Sequence, residues 1–245
     1  MMSWIVELDY YLKALRDLFF PRKCIVCKES LSVYEHNICL KCYADVPLTY
    51  FWRWSGNPAE ERMWKRVPIE KGASMFYYRN TDGYSHIVHK IKYEGRRRFG
   101  KEVGKIFGEY LGGSGRFADI DAIIPVPLHL IREWKRGYNQ AEIISEGIRE
   151  GISVYSENRL IVVPNLLKRT RYTKTQTRLS GEAKDKNVKN AFSINHAVAA
   201  RLKAEGIDHI LVVDDVLTSG STLEECVTPL LPYFKVSIAT LGFVE

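Results

Sequence analysis

The sequence predicts an α/β fold, with a central, mostly parallel sheet flanked by helices and a small cysteine-bearing unit ahead of it. Two short apolar runs, at residues 210–213 and 122–124, are unbroken by polar residues and empty into loops, as strands buried on both faces do. Segments of helical period stand between them, the alternation expected of βα units. Two Cys-x-x-Cys pairs crowd into the first 42 residues.

A chain of 245 residues accommodates one α/β domain and a small accessory unit. With 46% apolar and 27% charged residues the composition is that of a soluble globular protein. No run approaches the ~20 apolar residues of a membrane span, and no basic region precedes an apolar one at the N-terminus. The expectation is a cytoplasmic protein. The net charge of +7 suits a nucleic acid or a small polyanion as partner. Between Lys168 and Lys189 eight basic residues face only Glu182 and Asp185, so this segment holds nearly the whole surplus.

Residues 3–19 place Trp4, Leu8, Tyr11, Leu12, Leu15, Leu18 and Phe19 at spacings of three and four, an amphipathic helix that Pro21 ends. Its polar face carries few cations, so a helix packed on its own protein is preferred over a membrane-surface helix. Cys24 and Cys27, then eleven residues, then Cys39 and Cys42, form two knuckles able to aim four thiolates at one tetrahedral zinc ion. The missing export signal argues against disulfides. His36 could replace one sulfur or be an ordinary surface residue. The domains expected are residues 1–48 for the helix and zinc ribbon, 49–72 for a linker or cap, and 73–245 for the α/β body. The aromatic residues Phe51, Trp52, Trp54 and Trp64 show no clean period; packing on the zinc unit is preferred over stacking on single-stranded nucleic acid.

A strand is expected at 73–78, a helix through Tyr84, Ile87, Val88 and Ile91, a basic turn over 92–98, and a helix stopped by Gly112 and Gly113. Pro125 and Pro127 force an extended exit from the 122–124 strand. Arg132 and the sequence Arg136-Gly137-Tyr138-Asn139-Gln140-Ala141 follow, readable as a diphosphate-gripping loop or as a solvated helix start. The second apolar run ends in Asp214 and Asp215, and after Val216 and Leu217 come Thr218, Ser219, Gly220, Ser221 and Thr222. Such a hydroxyl-rich turn before a helix gathers amides and hydroxyls around a phosphate. It lacks the Gly-Lys-Ser/Thr of the nucleotide P-loop and the repeated glycines of the dinucleotide fingerprint. The carboxylates stand at the strand end where open sheets bind ligands, suited to sugar hydroxyls or to magnesium through its waters. Cys226 reads as a small core residue.

The acid pair with its hydroxyl loop closely resembles the phosphoribosyl pyrophosphate (PRPP) motif of type I phosphoribosyltransferases. Pro125-Val126-Pro127, the 136–141 sequence, Leu167-Lys168-Arg169, Thr175-Gln176-Thr177, Asn187-Val188 and Ala191-Phe192, in that order behind a four-cysteine ribbon, resemble the ComF family over about residues 20–245. The resemblance implies a type I phosphoribosyltransferase-like fold and a PRPP-binding protein, with some relatives serving DNA uptake in natural transformation.

It further implies that Asp214 and Asp215 act as the catalytic, sugar-binding acids and that Thr218, Ser219, Gly220, Ser221 and Thr222 hold the 5-phosphate. Arg136, Lys168, Arg169 and Arg171 would meet the pyrophosphate, the last three on a closing lid. Zn2+ would be structural, in Cys24, Cys27, Cys39 and Cys42, and Mg2+ would accompany PRPP. One departure stands out, since Thr218 occupies the place of the aspartate that assists the base in purine-salvage relatives. Three functions follow: transfer of phosphoribosyl to an unknown acceptor, PRPP binding without turnover, or contact with single-stranded DNA or the DNA-uptake machinery.

Overall fold

The computed structural model describes residues 15–16, 18–79, 81–129, 133–134, 136–156, 159–170 and 191–245. Its centre is a five-stranded parallel sheet formed by β1 (Gly72–Tyr77), β2 (Ala122–Pro125), β3 (Ile161–Val162), β6 (His209–Leu217) and β7 (Lys235–Phe243), in the spatial order β1-β7-β6-β2-β3. A separate antiparallel ribbon pairs β4 (Leu167–Arg169) with β5 (Phe192–Ile194).

The sheet is buried on both faces because its apolar runs alternate sides at every residue. On one face Ile124, Val212 and Ile238 pack with Leu223, Cys226 and Val227 of α7 (Ser221–Val227) and with Leu202 of α6 (His196–Ala204). On the other, Ile123, Leu211, Val213 and Leu241 meet three helices, α3 (Ser85–Tyr93), α4 (Arg97–Gly113) and α5 (Gln140–Ile152). Each fully buried aliphatic side chain here contributes about 1.5–3 kcal/mol relative to exposure.

Helices α4 and α5 approach until their backbones touch. A β-carbon added at Gly104 would lie 2.4 Å from the Ile144 carbonyl oxygen, and one at Gly108 2.3 Å from that of Ile148. Gly147 and Gly151 answer from the other side, where added β-carbons would lie 2.2 Å from the Lys101 and Lys105 carbonyl oxygens. Glycines four apart on facing helices thus set the depth of this layer.

Ahead of β1, Phe51 enters one sheet face and Trp52 the other, where Trp52 stacks on Tyr110 with centroids 4.9 Å apart. The buried Glu60 of α2 (Pro58–Trp64) pairs with Arg116 at 2.8 Å and accepts from the Gly72 and Gly56 amides. Phe51 and Trp52 therefore pack on the α/β body, one on each sheet face, whereas Trp54 and Trp64 are exposed. Residues 1–14, and with them most of the amphipathic helix expected over 3–19, lie outside the described residues; Leu15, Leu18 and Phe19 are exposed.

Candidate sugar-phosphate site and thiolate centre

The chain leaves β2 across one sheet face through α5 and leaves β6 across the other through α7, so the carboxyl ends of these adjacent strands are a topological switch point, the place where open α/β sheets form a ligand crevice. Register puts Pro125 beside Val213, and the Val126 amide donates to the Val213 carbonyl at 2.9 Å, so the proline exit runs alongside the acid pair.

Asp215 is buried at the end of β6, and its Oδ2 accepts from Gln140 Nε2 and from Lys92 Nζ, each at 3.0 Å. Asp214 Oδ1 accepts from the Asp215 amide at 2.8 Å. Burial, then the neighbouring Asp215 charge, push the Asp214 carboxyl up to about 7. Burial works against the Lys92 ammonium, but Asp215 outweighs it and the net shift is upward. Helix α5 begins at the site because Asn139 caps it, accepting from the Ala141 amide at 3.0 Å while donating to the Val126 carbonyl at 3.1 Å. That cap fixes Gln140 against Asp215. Residues 138–141 are thus a buried helix start beside the acid pair and not the solvated one that the sequence allowed, because the Asn139 cap and Gln140 are held against β2 and β6.

The hydroxyl loop turns at Gly220, whose φ of +86° is in the left-handed region that favours glycine. Ser219 and Ser221 hydroxyls stand 3.0 Å apart, and the Thr218 carbonyl accepts from Arg62 Nη1 at 2.7 Å. Beside Thr218 and Ser219 lies an open cleft of about 770 Å³ that Arg62, Lys65 and Arg66 also line. Arg136 reaches the crevice at one remove, donating to Gln140 Oε1 at 2.8 Å and lying over the Tyr93 ring at 4.9 Å. The β4–β5 ribbon carries exposed Lys168 and brings Arg169 close enough to favour the charged form of Asp214, with its guanidinium 5.0 Å above the Phe192 ring. Arg171, and the rest of the segment expected to form the lid as far as Lys189, lie outside the described residues. Lys92 and Gln140 were not singled out from the sequence: Lys92 reads there as part of a basic turn and Gln140 as a member of a family motif.

Cys24, Cys27, Cys39 and Cys42 converge, with all four sulfurs within 4.8 Å of one another. Cys27 and Cys39 Sγ are 3.7 Å apart, and thiolates bonded at ~2.3 Å to one tetrahedral ion sit about 3.8 Å apart. Four sulfurs at such separations could hold zinc with every position filled, leaving none for substrate. The Cys39 amide donates to Cys24 Sγ at 3.3 Å. Burial alone would raise the Cys24 thiol, but amide donors from Cys39, Cys27 and Val26 outweigh it and bring it down to about 7. His36 is exposed and outside the cluster. The unit docks at the entry to α3: Tyr84, the residue just before that helix, donates to the Cys42 carbonyl at 3.1 Å, and a β-carbon at Gly83 would lie 2.4 Å from the Val26 carbonyl oxygen.

No family model matches the chain. Over 222 residues it is 28% identical to Competence protein F of Haemophilus influenzae, an alignment covering 84% of this chain and 90% of that protein. It is 27% identical over 229 residues to DNA utilization protein YhgH of Salmonella typhimurium, and 25% identical to YhgH of Escherichia coli K12, each alignment covering 87% of this chain and 92% of the relative. The chain is a homologue of these proteins over most of its length, which agrees with the ComF resemblance of its motifs. Among the described residues no helix is long and apolar enough to cross a membrane.

Proposed function

We propose that this homologue of competence and DNA-utilization proteins serves DNA uptake or use as a PRPP-binding protein. The observation that carries the reading is the placement of Asp214 and Asp215 at the β2–β6 crevice, followed directly by the hydroxyl loop. In this reading the loop amides and hydroxyls take the 5-phosphate, the two carboxylates accept from the ribose hydroxyls, and Arg136, Lys168 and Arg169 face the diphosphate. Zinc in the four thiolates holds the N-terminal unit folded against α3.

Binding without turnover fits the loop better than transfer does. Displacement at the anomeric carbon needs an acceptor that is already nucleophilic or is deprotonated nearby, and Thr218 offers no base where a carboxylate would serve. Transfer stays as a second reading because the cleft of about 770 Å³ beside Thr218 and Ser219, lined by charges of both signs, leaves room for a second ligand. Contact with DNA is the reading that relatives named for DNA utilization favour, and the cationic run Arg96-Arg97-Arg98 at the start of α4 suits it, lining a cleft of about 400 Å³ with His36 and Asn37 of the cysteine unit.

Calorimetry of zinc-replete protein with PRPP and Mg2+ tests the reading. Saturable binding with one site per chain is expected, and absence of heat together with absence of thermal stabilisation overturns it. Pyrophosphate release with some member of an acceptor panel would move the assignment to transfer. For DNA, affinity for an oligonucleotide should fall steeply as salt rises, and competition by PRPP would place both ligands on the same cations.

A further inference from the structure

Magnesium at the acid pair is implied by the resemblance, yet the residues around Asp215 do not fit a metal there. Its Oδ2 already accepts from Gln140 and pairs with the Lys92 ammonium, both at 3.0 Å. Lys92 and Asp215 side chains are only 24% and 9% exposed, so the pair is held in place and not merely meeting on a surface. The lysine is well anchored. Ile87, Val88 and Ile91 bury the same helix in the sheet layer, and Tyr138 donates to the Ile91 carbonyl next to it. Lys90, two residues earlier, is taken by Glu94, so Asp215 is the carboxylate that Lys92 reaches. A divalent ion on Asp215 would need an octahedral oxygen shell at ~2.0–2.1 Å and would face this ammonium at close range.

We propose that Lys92 is the resident cation of the acid pair, doing with its ammonium what a divalent ion does elsewhere, so that the carboxylates meet the sugar hydroxyls directly. Any Mg2+ in the complex then travels with the ligand's diphosphate. The proposal rests on the PRPP reading for its ligand but not for its cation. Lys92 is a positioning residue: it fixes Asp215 as a charged acceptor and keeps metal off it.

The test uses zinc-loaded full chain in buffers stripped of other divalent ions by chelating resin, since a soluble chelator would also draw on the thiolate centre. Water proton relaxation reports Mn2+ binding. Wild type should show none; Lys92→Met should gain a site that Lys92→Met/Asp215→Asn loses again, and Lys92→Arg should exclude Mn2+ as wild type does. Mn2+ bound by wild type and lost in Asp215→Asn overturns the proposal, as does a folded Lys92→Met that gains nothing. If Lys92→Met fails to fold, the comparison of wild type with Asp215→Asn still decides. In calorimetry, withholding Mg2+ should cost Lys92→Met about tenfold or more in PRPP affinity beyond what it costs wild type. Equal Mg2+ dependence in wild type and Lys92→Met also overturns the proposal. Wild type that binds PRPP under neither condition refutes the sugar-phosphate reading, while the Mn2+ result still judges Lys92.

Discussion

Asp215→Asn probes the site with little change of shape. The amide keeps an oxygen for Gln140 and removes the charge opposite Lys92. If two ribose hydroxyls donate to the acid pair, each charge-assisted bond contributes about 1.5–3 kcal/mol and a neutral acceptor keeps roughly half of it. With one of the two hydroxyls on Asp215, a loss of roughly 0.8–1.5 kcal/mol raises the PRPP dissociation constant about four- to tenfold. The same change leaves the Lys92 ammonium without its counter-charge at 24% exposure, which costs about 1–3 kcal/mol of fold stability. At this chain length that lowers Tm by about 2–4 °C per kcal/mol. Calorimetry for affinity and a thermal melt for stability separate the two effects. A folded Asp215→Asn that binds PRPP as wild type does would refute the placement of the sugar on this carboxylate.

Gly108→Val drives a side chain into the Ile148 carbonyl, which a β-carbon alone would approach to 2.3 Å, and should cost about 3 kcal/mol or more, read from the denaturant midpoint. Cys42→Ser removes a buried ligand, so metal analysis should find zinc lost, and amide exchange should rise over residues 22–44 while the sheet stays protected. Because Tyr84 holds the Cys42 carbonyl on the helix that carries Lys92, this variant should also weaken PRPP binding, by calorimetry. Asp214 has a folded pKa of about 7, raised from 3.8, so the folded chain binds its proton more tightly than the unfolded chain does. Its contribution to stability is present below about pH 4 and is lost as pH rises toward 7. Denaturation of Asp214→Asn against wild type across that window should show the variant's relative stability rising with pH.

What the sequence made legible is what depends on local pattern. The strands at 122–125 and 209–217 announce themselves through the unbroken apolar runs 122–124 and 210–213, because a stretch buried on both sheet faces is apolar at successive positions. The cysteines do so because two turns must each present two sulfurs. Segment 49–72 was opaque for the opposite reason: Phe51 and Trp52 are neighbours in sequence but belong to opposite faces of the sheet, so no single period describes them. The glycines at 104, 108, 147 and 151 do carry a spacing, but glycine spacing names a close approach only once the facing helix is known.

Lys92 is the clearest case. Its neighbours Ile87, Val88 and Ile91 establish a helix whose period accounts for every apolar residue, leaving the lysine to read as one more cation ahead of Arg96, Arg97 and Arg98. Only the fold separates it from them, since α3 crosses the sheet from the thiolate unit at Gly83 and Tyr84 to the carboxyl end of β6. Nine residues rising ~1.5 Å each span about 12 Å from first to last. A helix that short, docked at one end and charged at the other, ties the two motifs that the sequence displays as separate. The thiolate unit is thereby part of what aims the lysine, and Asp215 owes its counter-charge to an element that no motif names.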